Sequence, residues 1–145
     1  MRHITIAAGL VLALVGTAAS AQTFKAQNHL KVNPLNAMDF EVIEARGEGA
    51  TGMWCAAADY GMKRLRLSNA QRVYVKTARG PATTAPGRKG VVFTFDASGL
   101  TQPPGGSYSV STGTVGLSMS LGQAIQFCRD NIIEPDDIHF RRKGS

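Results

Sequence analysis

The apolar side chains of this chain recur with two different periods, and each period predicts one kind of element. Apolar and polar residues alternate with a period of two, as in strands, in five segments: residues 38–46, 72–77, 91–96, 108–120 and 138–142. The third segment, VVFTFD, alternates most clearly, because Val91, Phe93 and Phe95 share one face of the predicted strand. Together these segments predict a sheet of four or five strands.

Two other segments repeat apolar residues every three or four positions, which is typical of helices with one buried face. The first covers residues 51–67, TGMWCAAADYGMKRLRL, and places Cys55 and Ala58 on the apolar face. Thr51 is the predicted N-cap of this helix. Gly61 predicts either a site of close packing or an early end of the helix, since glycine is a poor helix former.

The second predicted helix begins after Ser120, which forms a capping box with Gln123. Its apolar face carries Leu121, Ala124 and Cys128, and the periodic pattern ends near residue 131. Each predicted helix therefore carries one cysteine on its buried face.

The segments between these elements carry loop signals. Residues 78–89 and 97–106 are rich in proline and glycine, which predicts two long exposed loops. Residues 22–37 are polar and irregular, and Pro34 prevents a regular helix there, so we expect an extended N-terminal arm. A single α+β domain is expected to cover residues 38–145.

Residues 1–21 have the layout of a cleaved signal peptide. A short basic start precedes an apolar run over residues 4–15, and Ala19-Ser20-Ala21 forms a cleavage site of small residues. The rest of the chain has no long apolar stretch, so we expect a periplasmic or secreted protein that does not span a membrane.

The two cysteines, Cys55 and Cys128, predict one disulfide, because exported proteins meet an oxidising environment. Two free, buried thiols are the alternative. With the disulfide, the economical arrangement is an α+β fold with two layers. A mostly antiparallel sheet of four or five strands would then carry both helices on one face, joined by the disulfide.

The chain has a formal net charge of +6, which favours an anionic partner such as an acidic protein or a cell-envelope component. Its basic residues lack the dense clustering of nucleic-acid-binding proteins, so we expect no nucleic acid partner. The candidate binding residues are the only tryptophan and the bases of the first long loop and of the C-terminus: Trp54, Arg79, Arg88, Lys89, Arg141 and Arg142. The alternative is a solvated rim of charges scattered over the domain.

Motifs for catalysis or metal binding are sparse. The chain has no C-x-x-C pair, and neither His29 nor His139 has a metal-ligand spacing around it. We therefore expect no cofactor, no metal and no catalytic set, although a Ser-His-Asp triad assembled in space stays open. Asp59, beside Tyr60 on the first helix, is predicted to be an ordinary exposed residue.

These observations favour a non-enzymatic periplasmic or secreted domain that binds a protein or an anionic envelope component. An inhibitor of an envelope hydrolase is a narrower version of this hypothesis. The alternatives are a small hydrolase that uses His29 or His139, and a small-molecule binder with a pocket lined by Trp54, Tyr74 and Tyr108.

Three short motifs resemble a group of small exported proteins of alphaproteobacteria. They are WCAAADY at residues 54–60, VYV at residues 73–75 and VFTF at residues 92–95. The similarity covers residues 40–128. The resemblance implies export and a compact domain, and it implies no function.

Overall fold

Six strands pair side by side into one antiparallel sheet, in the part of the chain that the computed structural model describes, residues 21–105 and 109–130. The order across the sheet is β1-β2-β3-β5-β4-β6. The strands are β1 (Phe24–Lys25), β2 (Lys31–Pro34), β3 (Asp39–Ile43), β4 (Arg72–Pro81), β5 (Lys89–Thr94) and β6 (Ser118–Ser120). The α-helices are α1 (Gly49–Asp59), α2 (Leu121–Ala124) and α3 (Phe127–Asp130), and a short 3₁₀ helix covers Ala97–Gly99. The predicted α+β sandwich is confirmed, with six strands in place of four or five.

The segment predicted as an N-terminal arm, residues 22–37, contributes the β1–β2 hairpin at one edge of the sheet. Phe24 lies opposite Val32, and Val32 is fully buried in the core. The turn closes through the backbone N–H of Ala26, which donates to the carbonyl of Leu30 at 2.9 Å. Pro34 excludes a helix but is compatible with the end of β2, because a strand end needs no donor there.

Helix α1 is buried along most of its length. Every residue from 52 to 61 is buried, because three successive alanines let the helix lie between the sheet and the C-terminal helices. The helix begins at Gly49 with Glu48 at the N-cap, so the prediction of Thr51 as the cap was wrong. The prediction for Asp59 was also wrong: it is 1 % exposed and accepts a hydrogen bond from the backbone N–H of Gln27 at 2.9 Å.

The end of α1 widens into a π-helical turn over Tyr60–Arg64. A Cβ atom added at Gly61 would lie 2.9 Å from Cζ of Phe95 and 3.0 Å from Cδ1 of Leu121. Glycine is therefore required by the close approach of the sheet and α2, and the α-helix ends just before it. Both alternatives that the sequence raised for Gly61 are present together.

The second predicted helix is divided into two short helices, α2 and α3, although its capping box of Ser120 and Gln123 is confirmed. Leu121 and Ala124 are fully buried against α1. Cys128 on α3 forms a disulfide with Cys55 on α1, and their Cα atoms are 4.9 Å apart. The disulfide prediction is confirmed.

Strand β4 is longer than predicted and extends to Pro81, so the following loop is shortened to residues 82–88. Two irregularities in the β4–β5 register, around Thr77, accommodate this length. The predicted strand over residues 138–142 and the signal peptide lie outside the described residues. Within the described chain, no helix is both long enough and apolar enough to cross a membrane.

Removal of the disulfide is expected to lower the free energy of unfolding by about 4 kcal/mol, because the bond joins residues 73 positions apart and restricts the unfolded chain. Urea unfolding of the wild type and of a Cys55→Ala, Cys128→Ala double variant measures this difference. Dithiothreitol should destabilise the wild type similarly and leave the double variant unchanged. Equal unfolding midpoints in the two proteins would contradict the expectation.

Substitution Gly61→Ala is expected to lower the free energy of unfolding by about 1 to 3 kcal/mol, although alanine favours helices, because its methyl group overpacks the contact with Phe95. Thermal unfolding measures the change. Gly105→Ala is the control, since a Cβ atom there meets nothing within 4 Å. A Gly61→Ala protein as stable as the wild type would show that this contact can relax freely.

Candidate functional site: a basic groove

The face of the sheet opposite α1 carries an open groove of about 650 Å³. Four basic side chains from three separate backbone segments line it: His29 and Lys31 where the β1–β2 turn enters β2, Arg46 after β3 and Arg88 before β5. All four residues are exposed. We call this site, with its four bases, the basic groove.

Two of these bases occupy a left-handed backbone conformation. The φ angle is 66° at His29 and 62° at Arg46. This conformation disfavours residues with a side chain beyond glycine, at a cost of about 1 kcal/mol each. The tight turns after β1 and β3 hold these two residues there, and so place two of the bases at the same end of the sheet.

The floor of the basic groove is apolar. Ile43 and Ala45 line it, and Ala85 of the β4–β5 loop forms part of a wall. Ile43 is a direct cross-strand neighbour of Lys31 on β2 and is only 4 % exposed. A ligand in the groove would therefore meet aliphatic carbon below and positive charge around it.

A chain of hydrogen bonds along the lining of the basic groove connects four segments. The hydroxyl of Thr23 donates to Oδ1 of Asn33 at 2.8 Å, and Nδ2 of Asn33 donates to the hydroxyl of Thr84 at 2.8 Å. The Thr84 hydroxyl in turn donates to the carboxylate of Glu41. These bonds tie the β4–β5 loop to β2 and β3.

Glu41 anchors this loop from within the sheet. It is 1 % exposed, and its carboxylate accepts hydrogen bonds from the backbone N–H groups of Thr83 and Thr84, both at 2.8 Å. Burial raises the pKa of Glu41, but the hydrogen bonds from the two threonines outweigh burial and hold the pKa below its ordinary value. The carboxylate is therefore ionised at neutral pH and holds the loop in place. We call this set of hydrogen bonds from Thr83 and Thr84 the Glu41 clasp.

A second carboxylate, Glu44, organises the bases next to the groove. Arg79 forms a forked ion pair with it through Nε and Nη2, and Nη2 of Arg88 donates to its backbone carbonyl at 3.2 Å. The hydrogen bonds from Arg79 lower the pKa of Glu44, and the nearby charge of Lys89 adds to this. Three of the basic residues that the sequence suggested as binding candidates, Arg79, Arg88 and Lys89, are thus brought together around Glu44.

Within the described residues, the bases that line the basic groove form no ion pairs. The described part of the chain contains three ion pairs, whose cations are Lys63, Lys76 and Arg79. None of the four groove bases takes part in them. Among the described residues that line the groove there is no aspartate or glutamate. The electrostatic potential of the groove is therefore suited to an anion.

Trp54 lies in the core and not at a surface. It is fully buried, its ring packs edge-on against Phe93 at a centroid distance of 4.9 Å, and its indole N–H donates to the carbonyl of Val110 at 2.8 Å. Trp54 is therefore not accessible to a partner. Arg141 and Arg142, the other two candidate binding residues, lie outside the described residues.

His29 lies in the groove without the companions of a nucleophilic site. The described lining contains no serine, cysteine or carboxylate that would complete a triad with it. Within residues 21–105 and 109–130, no group of three or more His, Cys, Asp or Glu side chains is arranged to hold a metal ion. His139 lies outside the described residues.

Sequence reasoning did not select Lys31 and Arg46, and it considered His29 only as a catalytic or metal-binding residue. Neighbourhood in the sheet brings these residues together with Arg88, which is more than forty positions from the nearest of them along the chain. One local signal was present, since Arg46 precedes Gly47 in a segment that must turn from a strand into a helix.

The buried carboxylate predicts an acid-sensitive stability. Because the pKa of Glu41 is lowered in the folded protein, Glu41 stabilises the fold above its ordinary pKa of 4.5, and this contribution is lost as the pH falls through the folded-state pKa. Glu41→Gln should lower the free energy of unfolding by roughly 1 to 3 kcal/mol at neutral pH and flatten its decline in acid. Urea unfolding at a series of pH values measures both effects.

The exposed ion pair of Glu44 provides a matched control, because Glu44→Gln should cost less than about 1 kcal/mol. A Glu41→Gln protein that is as stable as the wild type at neutral pH, with an unchanged acid profile, would show that the clasp contributes nothing.

Comparison with known proteins adds no relative to this geometry, because no protein-family model, curated protein or solved structure matches the chain significantly.

Proposed function

We propose that this chain is a non-enzymatic binding domain of the periplasm or the extracellular space, which holds an anionic component of the cell envelope in the basic groove. The observation that carries the proposal is the convergence of four bases from three backbone segments, with no carboxylate in the described lining. Such an arrangement attracts anions, and no ion pair with a described carboxylate competes for the bases.

The cysteine usage supports the location. A disulfide such as the one between Cys55 and Cys128 persists in oxidising compartments and is rare in the cytosol. The signal-peptide layout of residues 1–21 and the resemblance to small exported proteins of alphaproteobacteria point the same way.

The scaffold supports binding in preference to chemistry. The groove bases are held by a disulfide-linked frame and by the clasp of Glu41, which keeps the loop that carries Arg88 in place. The described lining contains no serine, cysteine or carboxylate beside His29. Preorganised charge of this kind is what a binding domain requires.

Co-sedimentation of the purified protein with isolated Gram-negative cell envelopes tests the proposal. In the test variant, three groove bases are replaced by glutamine: Lys31→Gln, Arg46→Gln and Arg88→Gln. We expect the wild type to sediment with the envelopes and the variant to lose affinity by at least about tenfold, since each base near an anionic surface contributes about 1 kcal/mol.

The control variant removes the same net charge from exposed positions outside the groove: Arg64→Gln, Arg66→Gln and Arg129→Gln. It should sediment like the wild type. An equal loss in both variants would show that binding depends on overall charge alone, and full binding by the groove variant would show that the groove is not the site.

A further inference from the structure

We infer that the occupant of the basic groove is a linear polyanion that crosses the strands of the sheet, with one anionic group in each repeat. This inference rests on the proposed function, since it specifies which anionic component the same site binds. Three features carry it: a row of bases that continues beyond the groove, the spacing of that row, and the lack of aromatic side chains in the lining.

The row of bases continues to the edge of the sheet. Lys25 on β1 is the direct cross-strand partner of Lys31 on β2, and both residues are exposed. Like charges placed directly opposite each other destabilise a sheet. An anionic chain that passes over both lysines would turn this repulsion into attraction.

The row is too long for one compact anion. It runs from Lys25 on β1 through Lys31 on β2 and over Ile43 on β3 to the end of β5, where Arg88 precedes the strand. Four adjacent strands spaced about 4.8 Å apart spread these bases over about 15 Å. Charges distributed in this way match an anion that repeats along a chain, and the aliphatic floor of Ile43 and Ala45 lies beneath its uncharged links.

The chemistry of the lining favours a polyanion without aromatic groups over a protein or a nucleic acid. The described lining contains no Trp, Tyr or Phe, whereas single-stranded nucleic acids stack their bases on aromatic side chains and protein interfaces depend on aromatic anchors. The exposed large apolar residues of the described chain, Leu35, Met38 and Val110, do not line the groove. The groove therefore favours a polymer without aromatic groups.

Titration calorimetry with polyanions of different length tests the inference. The probes are the monomer, trimer and decamer of phosphate and of galacturonate, and a decamer of glutamate represents an acidic protein segment. At equal concentration of anionic groups, the wild type should bind a phosphate or galacturonate decamer at least about tenfold more tightly than the corresponding monomer, because several bases act on one chain. The tighter of the two series identifies the anionic group.

Lys25→Gln is the informative variant, because Lys25 extends the row but does not line the groove. Decamer affinity should fall about threefold to tenfold, the slope of log affinity against log salt should fall by about one, and monomer affinity should stay unchanged. Its thermal midpoint should equal or exceed that of the wild type, since the repulsion with Lys31 is removed. Arg64→Gln is the control and should change none of these values.

The outcomes separate this inference from the proposed function. Equal affinity for monomer and decamer, or no effect of Lys25→Gln on decamer binding, would overturn the polyanion while envelope binding through the groove bases still stood. Tighter binding of the glutamate decamer than of both other decamers would overturn it in favour of an acidic protein. An equal loss of envelope binding in the groove variant and in its control variant would instead overturn the proposed function itself.

Discussion

The close approach of α1 to the sheet is the constraint on which the rest of the structure depends. A helix whose residues are buried from Gly52 to Gly61 needs small side chains on the sides where both layers touch it, and the three alanines provide them. The same closeness requires glycine at position 61, and the π-helical turn over Tyr60–Arg64 follows directly. The disulfide then holds α3 against α1, on the side away from the sheet. The packing of α1 and its glycine at position 61 therefore both depend on this close approach, and the disulfide adds a covalent link on the other side of the helix.

The opposite face of the sheet is organised by polar contacts, and there the buried carboxylate of Glu41 has the central position. Four donors from Thr83 and Thr84 compensate its charge, which is how a protein keeps an ionised group out of water at tolerable cost. The clasp folds the β4–β5 loop over the sheet and so creates a wall of the basic groove. The apolar layer thus stabilises the sheet, and the polar layer shapes its free surface.

The sequence predicted the apolar layer well, because the side chains that form it recur with the period of a strand or a helix. Phe40, Val42 and Phe93 are buried as their alternation indicated, and Cys55 meets Cys128. Residues 24–34 and the second half of β4 were missed as strands, since their pairing depends on neighbours that local polarity does not reveal. Asp59 was misjudged for a related reason: a carboxylate on a helix is expected in water unless a distant segment, here Gln27, covers it.

The basic groove could not be predicted from the order of residues along the chain, because strand pairing is what brings its three segments together. Their arrangement also has a physical cost that the apolar layer must offset. His29 and Arg46 hold left-handed backbone, and Lys25 and Lys31 repel each other across the hairpin. A scaffold stabilised by the buried contact of α1 and by the disulfide can sustain these unfavourable terms in the unbound state. Under the proposed function, an anion bound over Lys25 and Lys31 would relieve the repulsion between them, so the charge pair that weakens the free protein would strengthen the complex.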